Sequence, residues 1–370
     1  MRIGKITENV LKRSVWKQIH NGRYKNGAAG YTDCACFGTN EIDTDARRNN
    51  NKKNPSVNRN DFKGNEILSS VHTVTADVKH CGKYAVACAC NNIFAGGGQP
   101  KQVLLSITLP KDCEEQVLRQ IMKDAEAAAI YNGAEIAGGH TEVSEAVNHP
   151  LVTATAVGYK DVISDNKSIS VSDESKGQVA DTIIKPDMRL NSAADCDLVV
   201  TKWIALSGCA MLSEDRKDKI IERYPSFIID AGTSFGGMDY LSIKDDARIA
   251  RENKAVCIHD VSSGGIFAAL WELGQMTGCG MEVNLKAIPI RQESVEITDV
   301  FDVNPYLLAS AGALLIATRD GSLMVDALEK EGIPSAIIGK LTSGNDRIII
   351  NEDETRFLDL PQSDELHKIF

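Results

Sequence analysis

The sequence predicts an α+β protein, an α/β-type N-terminal domain followed by an α+β C-terminal domain. Three observations point there. A chain of 370 residues with 43% hydrophobic content is too long for one ordinary core. Segments with strand and helix periodicity alternate along it. A polar stretch at 161–195, rich in Ser, Asp and Lys, interrupts that alternation near the middle. The expected division is therefore 1–160, a polar insertion or linker at 161–195, and 196–370. A second polar run, about 40–64, contains Arg47-Arg48-Asn49-Asn50-Asn51-Lys52-Lys53-Asn54 and almost no apolar side chains. It cannot offset the entropy of ordering and is expected to be a mobile loop.

The elements follow in order. Residues 103–109 read as a strand. A helix is expected over 113–132, capped by Asp112 with Glu115 three residues on, closed by Asn132-Gly133, and burying Val117, Ile121, Met122, Ala125 and Ala129. Residues 134–137 complete a strand–helix–strand unit. Strands at 151–157 and 198–200 flank the polar stretch. A second unit comprises a strand at 255–258, a glycine turn and a helix at 266–277 ended by Gly278. A third has a strand at 313–318, a helix at 323–330 and a strand at 336–338.

Charge excludes one class of function. With 41 basic and 51 acidic residues the net charge is -10, which repels a polyanion, so no nucleic acid is expected as a partner. The longest apolar stretch, 306–318, is diluted by Ser and Gly and falls short of the ~20 residues a membrane helix needs. The first residues run into charges without an apolar signal core, so a cytoplasmic location is expected. Ten cysteines include the pairs Cys34/Cys36 and Cys88/Cys90. Four thiolates are a metal-ligand set, but alternating apolar surroundings favour buried, reduced thiols.

Three glycine-bearing segments carry chemistry: Gly30-Tyr31-Thr32-Asp33, Gly138-Gly139-His140-Thr141-Glu142, and His259-Asp260-Val261-Ser262-Ser263-Gly264-Gly265. Glycines after a strand let backbone amides approach an anion, and a following helix N-terminus adds donors and a favourable dipole. Neighbouring Asp, Glu and His suit a hard cation such as Mg²⁺ bridging phosphate oxygens. A nucleoside triphosphate site is the inference, although neither a Walker loop nor a dinucleotide fingerprint is present.

These segments, with 84–86 and Asn91-Asn92-Ile93-Phe94-Ala95-Gly96-Gly97-Gly98-Gln99-Pro100, resemble the AIR synthase superfamily. The HypE-like, AIR synthase-related branch matches best, through 138–150, 197–203, 288–293 and 338–347. The resemblance implies an AIR synthase-like two-domain architecture that forms a homodimer through its N-terminal sheet. It also implies ATP with Mg²⁺, and phosphorylation of a carbonyl or amide-type oxygen on a small-molecule or protein-bound acceptor, with a maturation partner protein. Asp33, His140 and Asp260 would be catalytic. Asn91, Asn92, Gly138, Gly139, Thr141, His259, Ser263, Gly264 and Gly265 would hold the nucleotide, and Asp33, His72, Asp77, His140, Glu142 and Asp260 the metal. The chain departs from the family where Asn91-Asn92 replaces Asn-Asp and where His72 replaces an aspartate. Its last residues, His367-Lys368-Ile369-Phe370, hold no cysteine to carry a carboxamide. Those departures motivate a rival expectation, a homodimeric nucleotide-binding or scaffold protein without turnover.

Overall fold

The computed structural model describes residues 6, 8–15, 18, 34–38, 66–161, 193–360 and 363–370. Asp33, the polar run at 40–64 and most of the stretch at 161–195 lie outside the described residues. After a short helix α1 (Glu8–Ser14), a five-stranded sheet contains β1 (Ala35–Gly38), β2 (Glu66–Val74), β3 (Gly98–Leu109), β4 (Glu135–Val143) and β5 (Leu151–Lys160), in the order β1-β2-β5-β3-β4. Even-numbered residues of β2 and β5 and odd-numbered residues of β3 point to one face, where Leu68, Leu105 and Ala154 are buried. Against that face pack α2 (Cys81–Ala95) and α3 (Glu115–Tyr131).

Helix α3 matches the sequence reading, with Ile121, Ala125 and Ala129 buried and Asn132 at its end. The cap differs. A turn closed by Cys113 N–H onto Pro110 O takes Asp112 out of the capping position, and Glu114 precedes the helix without a side-chain cap bond. Helix α2 had no signature because nearly every residue in it is buried, which erases the apolar stripe. Cys88 and Cys90 therefore lie on a helix, not on one face of a strand. Both are buried thiols, and burial pushes the Cys90 thiol up to about 12.

The second sheet contains β6 (Asp197–Thr201), β7 (Cys257–Val261), β8 (Gly280–Asn284), β9 (Ala313–Thr318), β10 (Ser335–Thr342), β11 (Arg347–Asn351) and β12 (Glu354–Phe357). Their order is β12-β11-β8-β10-β6-β9-β7. Between β6 and β7 run α4 (Leu206–Asp215), α5 (Lys217–Ile221), α6 (Ser226–Ser234), α7 (Met238–Leu241) and α8 (Lys244–Glu252), and α9 (Gly265–Thr277) follows β7. Then come α10 (Gln292–Val300) and α11 (Gly321–Lys330). One face of this sheet shares a continuous core with α2 and the first sheet, while α9 covers a smaller core on the other face.

Only the first expected strand–helix–strand unit joins neighbours, with β3 and β4 parallel. β6 stands between β9 and β10, and three strands separate β7 from β8. Short strands buried on both faces carry no alternation to specify a partner, so the pattern could not fix this order.

Candidate active-site cleft

The two sheets meet in a cleft walled by the end of β2, the middle of α2 and the first turns of α4 and α9; His72, Tyr84, Ser207 and Ser263 line it. Strand alternation decides which residues of β7 reach it. Cys257 and Val261 belong to the α9-side core, so His259 shares their face, and its Nε2 lies 3.0 Å from Glu272 Oε2 on α9. Asp260 points the opposite way, toward α2, and is only 5% exposed. There it meets Asn92, and its charge bears on Cys88. The expected nucleotide role of His259 is thus replaced by a strand-to-helix tie, because its imidazole faces away from the cleft.

Asn91 is also structural. Its amide nitrogen donates to Leu241 O at 2.8 Å and its oxygen accepts from Ile243 N at 3.1 Å, so both ends of the amide hold the loop between α7 and α8. Gly264 and Gly265 have left-handed φ values of 83° and 65° and open α9. A Cβ on Gly265 would stand 2.5 Å from Tyr306 O, so only glycine fits that turn. The amide of Gly264 faces an anion, as expected for a cradle, but the anion belongs to the chain. Asp364 Oδ2 accepts from it at 2.7 Å, and Oδ1 accepts from Leu366 N at 3.0 Å and Ala309 N at 3.3 Å. Burial raises the Asp364 pKa above the usual carboxylate range, against the lowering effect of these three N–H groups.

The Gly138–Glu142 segment sits elsewhere. It does not follow a strand; it is the exposed edge strand β4 itself. His140 is in register with Ser106, Thr153 and Thr73, and the Thr73–Thr153 hydroxyl contact of 2.9 Å marks the sheet face turned away from α2. Three strand spacings, ~14 Å, separate His140 from β2. His140 Nε2 and Glu142 Oε2 approach each other at 3.4 Å on that outer face. His72 lies on the cleft side and Asp77 is exposed in the loop before α2. The expected metal ligands therefore divide between two faces, and among the described residues no group of three or more His, Cys, Asp or Glu could hold a metal ion.

Sequence reasoning missed two parts of this region. Asp364 lies 100 residues beyond Gly264, and its only local sign is the cap-like Ser363-Asp364-Glu365-Leu366. The second part links the start of α2 to α3 and α4. His80 Nδ1 lies 2.7 Å from Asp124 Oδ2, Lys83 Nζ lies 3.7 Å from Glu214 Oε1, and the Tyr84 hydroxyl donates to Glu214 Oε2 at 3.5 Å. Burial raises the Glu214 pKa, opposed by Lys83 and His80. No spacing rule links residues 130 positions apart.

Two sheets joined at a cleft, with a buried carboxylate on β7 and a glycine-opened helix beside it, define a two-domain α+β protein. The chain belongs to the AIR synthase superfamily, on its HypE-like side: the AIR synthase related protein N-terminal domain matches residues 64–159 and the C-terminal domain residues 240–351. It is similar to the carbamoyl dehydratase HypE of Rhodobacter capsulatus, 26% identical over 267 residues that cover 70% of this chain and 69% of that protein. Among solved structures, HypE from a HypE–HypF complex superimposes with a TM-score of 0.65 at 16% identity, covering 95% of this chain and 99% of that one. HypE in complex with ATP superimposes with a TM-score of 0.63 at 15% identity, covering 86% and 90%. At these identities the structural likeness is one of fold.

Proposed function

We propose that this HypE-like chain is an ATP-dependent enzyme that phosphorylates a carbonyl or amide-type oxygen of a small or carrier-borne acceptor. The observation that carries the reading is the head of α9, where Gly264 N–H and the neighbouring Ala309 N–H already hold a carboxylate. A phosphate oxygen presents the same acceptor chemistry to these amides, and the dipole of a 13-residue helix favours its charge. Ser263 adds a hydroxyl at the rim. In this reading Asp260 would hold Mg²⁺, since one carboxylate suffices where nucleotide phosphates and water complete the shell. When bound, the nucleotide supplies the phosphoryl group. The chain's share is to orient the acceptor, neutralise charge and exclude water.

A second reading, nucleotide binding without turnover, draws support from the same cleft: among the described residues Asp260 is its one buried carboxylate on the sheet, with His140 and Glu142 on the far face. The two readings separate by calorimetry followed by ADP release. Mg²⁺-dependent ATP binding that Asp260→Ala abolishes supports the site, and ADP release with carbamoyl-type acceptors supports turnover. Absence of binding at millimolar ATP would end both.

The outer face of the first sheet exposes Val71, Leu104 and Tyr159, 61%, 43% and 48% accessible, an apolar area suited to a homodimer contact. HypE has been solved with HypF, and a maturation partner that delivers the acceptor is part of this reading.

A further inference from the structure

Asp260 meets the cleft with one edge of its carboxylate already engaged. The Asn92 amide nitrogen lies 3.0 Å from Oδ1 and 3.3 Å from Oδ2, and the Asn92 amide oxygen accepts from Ser70 Oγ at 2.7 Å. An ionised carboxylate can only accept, so it turns the amide nitrogen toward itself and fixes which way the side chain points. The amide protons then stand where a cation would have to sit to be held by both carboxylate oxygens at once. This contact closes bidentate coordination and leaves only the outward lone pairs of Asp260.

The rest of the wall does not make up for that. Ser70 is 5% exposed and engaged with Asn92. His72 stands two residues further along β2 on the same face, and Cys88 lies beside Asp260 on α2. Imidazole and sulfur suit softer ions than Mg²⁺. Among the described residues no group of three or more His, Cys, Asp or Glu could hold a metal ion.

We propose that Asn92 is a specificity-determining residue that restricts the cleft to one divalent cation per chain, taken up only together with the nucleotide. The inference rests on the ATP reading above and deepens it. A hard cation demands an octahedral oxygen shell and sheds water reluctantly, so one carboxylate oxygen without phosphates is too little to retain it. With a nucleotide in the cleft, phosphate oxygens and water fill the other positions. No second carboxylate opposes Asp260 to pin another cation. The phosphate charge left over falls to the N–H groups and the dipole at the head of α9.

Equilibrium dialysis of the full chain tests this, with Mn²⁺ as the metal probe and the Mn²⁺ and ATP bound per chain both counted, for the wild type and Asn92→Asp. The wild type retains no Mn²⁺ alone, and with saturating ATP it retains one Mn²⁺ for each ATP. Asn92→Asp replaces the donor by a second carboxylate. It binds Mn²⁺ without nucleotide at least roughly tenfold more tightly than the wild type and retains two Mn²⁺ for each ATP. Circular dichroism establishes that the variant is folded; if it is not, the wild-type counts decide alone. A wild-type ratio other than one, Mn²⁺ held by the wild type without nucleotide, or a folded variant that matches the wild type overturns the inference while the ATP reading stands. If the wild type binds no ATP with or without Mn²⁺, the ATP reading fails and the cation count falls with it.

Discussion

Asn92 on α2 donates through its amide nitrogen to both oxygens of Asp260 on β7, at 3.0 and 3.3 Å, while its amide oxygen accepts from Ser70 Oγ at 2.7 Å. A neutral donor thus links the two sheets across the cleft and keeps a buried carboxylate hydrogen-bonded. Asn92→Asp restores the family residue and sets two carboxylates face to face. Like charges at that range disfavour ionisation, and the donor is lost, so the metal-free protein should lose about 1–3 kcal/mol. Mg²⁺ would bind between the carboxylates and recover part of the loss. Thermal melts with and without Mg²⁺ read both effects; an unchanged Tm in the metal-free variant would refute the contact.

Gly139 yields a different prediction from its sequence reading as a phosphate cradle. A Cβ there would stand 1.9 Å from Leu105 O on the neighbouring strand. Gly138, with the same φ, has only Leu104 Cδ2 nearby, at 3.7 Å. Gly139→Ala should therefore pry β4 from β3 and cost more than Gly138→Ala by about 1–3 kcal/mol. Urea unfolding of the pair decides it, and equal losses would remove the steric argument.

What the sequence revealed followed the strength of its local patterns. Helices α3 and α9 have a buried stripe and a glycine close to their ends, and strand β9 is one uninterrupted apolar run, so each stood out. Helix α2 is buried on all sides and gave no stripe. The short helices between β6 and β7 span too few turns to build a period. In the cleft, Asp260, Ser263 and Gly264 were placed correctly at the junction of a strand and a helix, because that junction is local. His140 and Glu142 were grouped with them on motif alone, and alternation along β4 turns them to the opposite face. Asp364 and Glu214 meet their partners only through tertiary folding, which no spacing encodes.

The Glu214 cluster makes stability depend on pH. Burial raises the folded pKa of Glu214 above its ordinary 4.5. The folded state then holds a proton that the unfolded state releases, so stability is fully present below about 4.5 and declines as pH rises through the raised folded value. Glu214→Gln removes that decline. Urea unfolding from pH 4 to 7 should show the variant gaining on the wild type as pH increases. A difference that stays flat, or shrinks as pH rises, contradicts the assignment.

Lys202 carries the largest stability effect expected here. Its ammonium donates to Ser242 O at 2.7 Å, Asp246 Oδ2 at 2.8 Å and Gly312 O at 3.0 Å, so its three protons are placed at a site only 7% exposed. Asp246 is 2% exposed, and its Oδ1 has no hydrogen-bond partner. Removing the lysine leaves that carboxylate buried without compensation, and Lys202→Met should cost about 3–5 kcal/mol. Because the pair is incompletely satisfied even when intact, Lys202→Met combined with Asp246→Leu should recover most of the loss. The denaturant midpoints of the two single variants and the double variant complete the cycle. A double variant as unstable as Lys202→Met alone would show that lost packing, not an orphaned charge, sets the cost.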